Sequence, residues 1–536
     1  MQMDRNIADK CFQGLFYLLC VCYIIFYMPY GLEGSDTGYI FGSSWNIYNG
    51  QLPHRDFIYT RPAIPAFFHT IFLFISETYG YVIDRAFFYV QVFFYSYLGA
   101  KLLTYHFGIT SIATRYFIAI IGALVSIHNY PPMGWNTIDG VFFCMIGMYL
   151  LLKKDSKPYH IFFSMLFLVL GVFSKQSFYF MPIFIAGYLL LTKDWYRIKY
   201  FVLFGIVWVA CYVGFKSATD SLTPFLEQTF HRTESSALLN AGLKNYYLAI
   251  KSNVIYVLVA IAATWAVYKF LPKKYGFLLV SLTIAAVMIA LYQQENSISV
   301  FKRSLLQVLF VFAVIYSVVM LRKDRNFLLL LLLLTLSWSA SISNGFKTPI
   351  HFSLPIFFSI YYLFFYTAIP SEENKKIAPW IAGTVITAFL ITFYIGYQTI
   401  YRDAPRSELV YEMDTVFPQL ATIKSDKATF EKYSELKALA QQYPNFTVIP
   451  TLTLAHYLTK TVNPIGTDWP HDAEVNDQGD QLAKQLAEKK SFVFVEKSDV
   501  SEKELNFYEI LDSITAQWQL EKETAYFSVY SPPKAK

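Results

Sequence analysis

GLEGSDTGYIFGSSWNIYNGQLPHRDFIYTRPAIP (residues 31–65) follows directly on an apolar run at 12–30. The segment is too polar to cross a bilayer and too long for a simple turn. It holds Glu33, Asp36, His54, Arg55, Asp56 and Arg61, and Tyr39, Phe41, Trp45, Ile47 and Tyr48 interleave with small polar residues. That texture predicts a helix lying in the membrane interface, apolar face down, ended by Gly50 and Pro53. Asp36 then opens the helix, where first-turn amides stabilise a carboxylate. The plain alternative makes Asp36 an N-cap and Trp45 and Tyr48 interfacial anchors.

The rest of the chain explains why such a segment stands alone. Of 536 residues, 55% are hydrophobic and 15% charged, against about 25% charged in soluble chains. With mean hydropathy +0.37, neither a soluble nor a disordered chain is consistent with the composition. Five Cys, none after residue 400, exclude a disulfide scaffold. Apolar runs fall at 12–30, 84–103, 112–128, 138–152, 160–174, 177–192, 198–215, 248–268, 276–292, 303–320, 327–342, 351–369 and 379–399. Each approaches the roughly 20 residues that a crossing helix needs. The first is too long for a cleavable signal peptide and lacks its small-residue site.

Charge sets the expected topology. Residues 1–400 carry 29 Lys and Arg against 17 Asp and Glu; residues 401–536 carry 15 against 21. Lys and Arg gather in cytoplasmic loops of membrane proteins, so the basic excess need not mean nucleic acid. The basic loops 153–160, 192–199, 269–274 and 321–325 are separated by pairs of runs and can share the cytoplasmic side. With the N-terminus inside, 31–61 and 401–536 lie outside. The short, Pro-containing 62–76 is then the candidate that does not cross fully, which leaves about thirteen spans. After residue 400 the pattern changes to helices at 430–442, 478–490 and 502–516 alternating with strands at 446–450, 491–496 and 525–530. A small extracytoplasmic α/β domain over 401–536 is expected, behind a membrane domain over 1–400.

Several motifs, in order, carry a resemblance: DTGY (36–39), NGQLPHRDF (49–57), TRP (60–62), WNTID (135–139), GVFSKQ (171–176) and KTPIHFSLP (347–355). Together they resemble the GT-C fold membrane glycosyltransferases that use polyprenyl-phosphate sugars. Those include protein O-mannosyltransferases and bacterial aminoarabinose-to-lipid A transferases. The family's first loop reads approximately D-E-x-x-Y, G-x-x-P-Y-R-D-F, K-P-P. Here Asp36 is followed by Thr37, and the last motif is Arg61-Pro62-Ala63, so support for a second acid shifts to Asp56. The likeness covers about residues 10–370.

The resemblance implies an inverting transfer of a sugar from a polyprenyl-phosphate donor to a lipid, glycan or protein acceptor. It places the reaction at the periplasmic face of a bacterial inner membrane. Asp36 is implied as the base that deprotonates the acceptor hydroxyl. Cations aimed at the departing phosphate would stabilise its growing charge. Arg61 offers a bidentate fork. His54, Arg55, Asp56, Asp139, Lys175, Lys347 and His351 are further substrate-binding candidates, with His231 and Arg232 behind them. Each basic residue has an ordinary reading as a snorkelling side chain or a solvated loop charge. Asp36, His54, Asp56 and Asp139 have the chemistry for a divalent cation, but no close-spaced ligand motif supports a metal, and no cofactor is expected. No P-loop or dinucleotide fingerprint is present. Trp469, in NPIGTDWP (463–470), is either a sugar-stacking or a core residue. The rival readings are a lipid or glycan transporter, which would need ionisable groups deep in the bundle, and a non-catalytic envelope-assembly partner.

Overall fold

The computed structural model describes residues 2–127, 131–230, 235–255, 258, 292–295, 299–301, 303–342, 348–368, 371–475, 478–497 and 508–533. His231, Arg232 and Lys347, and most of the runs at 248–268 and 276–292, lie outside them.

Among the described residues four helices are long and apolar enough to cross a membrane: Asn6–Phe26, Gly80–His106, Trp195–Ala218 and Arg303–Met320. The helix Trp195–Ala218 shows what surrounds them, because only Phe201 and Lys216 are buried in it. An apolar helix with so little protein contact is stable only in lipid. The chain is a membrane protein. Ile64–Ile75 is a twelve-residue helix, about 18 Å long at 1.5 Å per residue, well short of the ~30 Å hydrocarbon core.

Three helices set the ends of the bundle: α1 (Gly80–His106), α2 (Asn136–Leu152) and α3 (Pro158–Val172). The last two pack side by side, joined by a short turn. That pairing puts Lys153 and Lys154 at one end and Lys175 at the other. The Arg197 guanidinium donates to the Lys153 carbonyl at 3.0 Å, so the basic loops 153–160 and 192–199 share an end. At the opposite end Lys175 meets Thr137, and the segment 31–61 lies beside them.

The C-terminal region carries a four-stranded sheet of β1 (Phe446–Ile449), β2 (Phe492–Glu496), β3 (Gln519–Glu523) and β4 (Phe527–Ser531), in the order β1-β2-β4-β3. The first pair is parallel, with Val448 opposite Phe494, and the others are antiparallel. Helices Lys427–Gln442, Gly479–Glu488 and Glu509–Gln517 accompany it. The strand β3 is absent from the sequence reading because QLEKE is exposed at every position, an edge strand with no buried face to betray it.

The segment 31–48 departs from expectation. Its helix, here named the loop helix (Tyr39–Tyr48), does not lie on lipid: every residue from Tyr39 to Asn46 is buried. The C-terminal region covers it. Gly34, Gly38 and Gly42 repeat every fourth residue and face Thr451, Leu452, Thr453, Leu454 and Asp468. A Cβ on Gly38 would stand 2.5 Å from Leu454 and Thr453 side-chain atoms, and one on Gly42 2.4 Å from the Thr453 carbonyl. Small residues at that spacing let two backbones approach closely. Trp45 is no interfacial anchor: it is buried and its indole donates to the Thr461 carbonyl at 2.7 Å. Phe41, Trp45, Phe72, Leu73 and Tyr81 share one core with Leu436, Val448, Leu454 and Phe494.

Candidate active site

Two groups of charge stand at the start of the loop helix. The first is Glu33 and Asp36, just before Tyr39. Glu33 accepts hydrogen bonds from the backbone N–H of Asp36 (2.7 Å) and Thr37 (3.2 Å) at Oε2, and from the Ser35 hydroxyl at Oε1. The capping role expected of Asp36 therefore falls to Glu33. The Asp36 carboxylate is left for other partners: it accepts from the Tyr401 hydroxyl at 2.7 Å, and the half-exposed Arg402 guanidinium stands at 3.3 Å. Arg402 also reaches Glu33, at 3.5 Å. Burial and then the neighbouring Asp36 charge push the Glu33 carboxyl up.

The second group is Arg61 and Lys175. Arg61 lies over the Tyr39 ring, 4.9 Å from its centroid. Its two terminal nitrogens donate to Glu474 at 2.7 and 2.6 Å, in the fork geometry that suits an anion with two oxygens. Glu474 also accepts from Thr60 Oγ1 (2.9 Å) and the Tyr39 hydroxyl (3.3 Å). Lys175 donates to Thr137 Oγ1 at 3.0 Å. Burial and then the Arg61 charge lower its ammonium to about 7. His351 is buried next along, facing the charges of Lys175 and Arg303, with its carbonyl accepting from Tyr95 at 2.6 Å.

The loop carrying Arg61 is held from the bundle side. Lys216 Nζ, buried on its otherwise lipid-facing helix, donates to His54 Nδ1 at 3.0 Å. An ammonium is only a donor, so His54 carries its proton on Nε2 and donates to the Arg61 carbonyl at 3.0 Å. Burial and then the Lys216 charge lower the imidazole to about 3. Gln228 bridges the His54 carbonyl and the Tyr59 N–H, and Gln176 donates to the Thr60 carbonyl. His54 thus positions the loop rather than facing a substrate.

Other sequence candidates fall elsewhere. Arg55 and Asp56 pair with each other at 2.8 Å on the surface, and the Arg55 contact holds the Asp56 carboxyl low. Asp56 does not join Asp36; the second acid beside Asp36 is Glu33. Asp139 is wholly buried and accepts from Gln91 (2.8 Å) and His69 Nε2 (3.0 Å), while His69 Nδ1 meets Asp84. That Asp–His–Asp chain fixes the start of α2, which presents Thr137 to Lys175. Trp469 is half-buried, donates to the Tyr508 hydroxyl at 2.8 Å and touches the Tyr39 ring edge. The four residues with cation-ligand chemistry are thus dispersed, and among the described residues no three His, Cys, Asp or Glu side chains converge on a metal position.

Glu474, Tyr401 and Arg402 escaped the sequence reading. The signal available was the Gly34, Gly38, Gly42 stripe, which announces that another backbone covers this face.

No protein family matches the chain, and no curated protein sequence is significantly similar to it. Among solved structures it is similar to ArnT from Cupriavidus metallidurans in the apo state, with TM-score 0.44 and 10% identity over 98% of both chains. It is also similar to the same protein bound to undecaprenyl phosphate, with TM-score 0.46 and 10% identity over 97% of this chain and 98% of that one.

Proposed function

We propose that the chain is an inverting membrane glycosyltransferase that moves a sugar from a polyprenyl-phosphate donor to a lipid, glycan or protein acceptor. The observation that carries this reading is the separate grouping of opposite charges at the start of the loop helix. Buried Asp36 and partly buried Glu33 form one group, and the partly buried cations Arg61 and Lys175, with His351 and Arg303 beyond, form the other. Asp36 takes the proton of the acceptor hydroxyl. The acceptor oxygen bonds to the anomeric carbon as the bond from that carbon to the phosphate oxygen breaks. Polyprenyl phosphate leaves with the electron pair, and Arg61 and Lys175 stabilise its charge. The basic loops at the opposite end support the orientation with this face periplasmic, in a bacterial inner membrane, and with 401–536 outside.

One observation favours a transporter instead: Asp84, His69 and Asp139 form an ionisable chain buried among helices. Its depth argues the other way. Asp84 and Asp139 stand in the first five residues of their helices, within about 6 Å of the helix ends and far from a bilayer midplane.

Transfer of labelled sugar from a polyprenyl-phosphate donor tests the reading. Purified protein should catalyse it, and Asp36→Asn should lower kcat by about 100-fold or more with donor binding intact, the range for loss of a general base. Near-normal transfer by that variant would remove Asp36 from the chemistry. Movement of intact donor across vesicles without sugar transfer would favour the transporter.

A further inference from the structure

Glu474 stands where a phosphate would be expected. Its Oε2 accepts from Arg61, Thr60 and Tyr39, and its Oε1 from the second Arg61 nitrogen. Three residues of the first outer loop thus converge on one anion, and the anion belongs to the C-terminal region, on the short turn Asp472–Val475. A carboxylate and a phosphate present the same two-oxygen edge to a guanidinium fork.

We propose that Glu474 is a built-in competitor for the donor's phosphate. It holds Arg61 while the donor site is empty, and donor binding exchanges the carboxylate for the phosphate on Arg61, Thr60 and Tyr39. This rests on the function proposed above. Charge makes the exchange feasible in both directions. One carboxylate does not neutralise this side of the site: Lys175, bonded to Thr137, has no carboxylate partner among the described residues. A polyprenyl-phosphate sugar is a phosphodiester with one negative charge, whereas the polyprenyl phosphate left after transfer carries up to two. The product is therefore held more strongly than the donor by the same cations. Return of Glu474 to Arg61 gives the product a displacement route that does not depend on new donor arriving. The same contact ties occupancy of the site to the position of the C-terminal region.

Binding of undecaprenyl phosphate to purified protein in nanodiscs tests this without any turnover. If the Glu474 contact is favoured about ten to one in the empty protein, it raises the apparent Kd about tenfold. Glu474→Gln should then bind about tenfold more tightly than wild type, and the gain should vanish in the Arg61→Ala background. A purely structural ion pair predicts unchanged or weaker binding by the variant, and that result in folded, monodisperse protein overturns the proposal. Should Glu474→Gln fail to fold, wild type decides: hydrogen exchange at 472–475 should accelerate when undecaprenyl phosphate saturates the site, and unchanged protection overturns the proposal. Equal affinity of both proteins sinks the competition alone. Absence of binding by either sinks the proposed donor class and the competition with it.

Discussion

Two groups of opposite charge stand at the start of the loop helix Tyr39–Tyr48. Glu33 and Asp36 share one half-exposed cation, Arg402. Among the described residues Arg61 pairs with one carboxylate, Glu474, and Lys175 is bonded to Thr137 with no carboxylate partner. An ordinary structural ion pair would balance each side, since an uncompensated buried charge is costly. Carboxylates and cations grouped separately at one helix start suit a group transfer with a proton to remove and an anion to release. The cations come from the first loop and the bundle, whereas the carboxylate pair takes its Tyr401 and Arg402 partners from the chain that follows the last membrane helix. Residues of both groups thus meet partners from the C-terminal region, which packs on the glycine stripe.

The largest effects separating the two sides should come from Arg61. Its two charge-assisted bonds contribute about 1.5–3 kcal/mol each where a phosphate replaces Glu474, so Arg61→Ala should lower kcat/KM for the donor by about 100-fold or more. If the contact strengthens as phosphate departs, kcat falls along with donor affinity. Lysine keeps the charge and loses the fork, so Arg61→Lys should be milder. The Glu474 carboxylate, left buried by Arg61→Ala, would itself destabilise the protein. Measuring Arg61→Ala in the Glu474→Gln background removes that confusion. Unchanged kcat and donor KM in that folded double variant would separate Arg61 from phosphate binding.

Tyr401→Phe probes the acid side and should act differently. It removes one hydrogen bond, at 2.7 Å, from Asp36 and nothing from the cations. The expected loss is about tenfold in kcat, the worth of one bond to a charged group, with donor KM unchanged. A rise in donor KM equal to that of an Arg61 variant would merge the two sides into one site and end the comparison.

What was legible in the sequence follows the range of the interactions. The apolar runs, the polar first loop and three of the four sheet strands are local patterns, and they stand out because periodicity and composition act over ten to twenty residues. The partners of the first loop do not. Tyr401 is 365 residues from Asp36, and Glu474 is 413 from Arg61. Asp139 read as a substrate-binding candidate because nothing local shows that His69 and Gln91 converge on it. The loop helix read as interfacial because Trp45 and Tyr48 have the chemistry of membrane anchors, and only the glycine spacing distinguishes a face that another backbone covers.

Asp468 tests how tightly that cover is seated, with the smallest expected effect on activity. It lies under the loop helix, accepting from Asn463 at 2.9 Å and from Asn46 at 3.3 Å. Burial raises its carboxyl to about 7, against the pull of those two amides. A raised acid is protonated in the folded protein while the unfolded chain releases its proton near pH 4. The folded state then binds more protons, and stability falls as pH rises from about 4 to 7, by up to about 1.4 kcal/mol per pH unit. His54 acts in the opposite sense: lowered to about 3, it stays neutral when folded, so its contribution is lost as pH drops below about 6.5. The two trends overlap and oppose each other in the wild-type profile. The difference between wild type and Asp468→Asn isolates one of them. The Asn variant keeps a polar side chain between Asn46 and Asn463 and has no proton to release. Its thermal stability relative to wild type should rise steadily between pH 4.5 and 7 and level off above, on the order of several degrees in total, with transfer activity at pH 7 nearly unchanged. A pH-independent difference would mean that Asp468 is ionised in the folded protein, and that water reaches the seam between the loop helix and the C-terminal region.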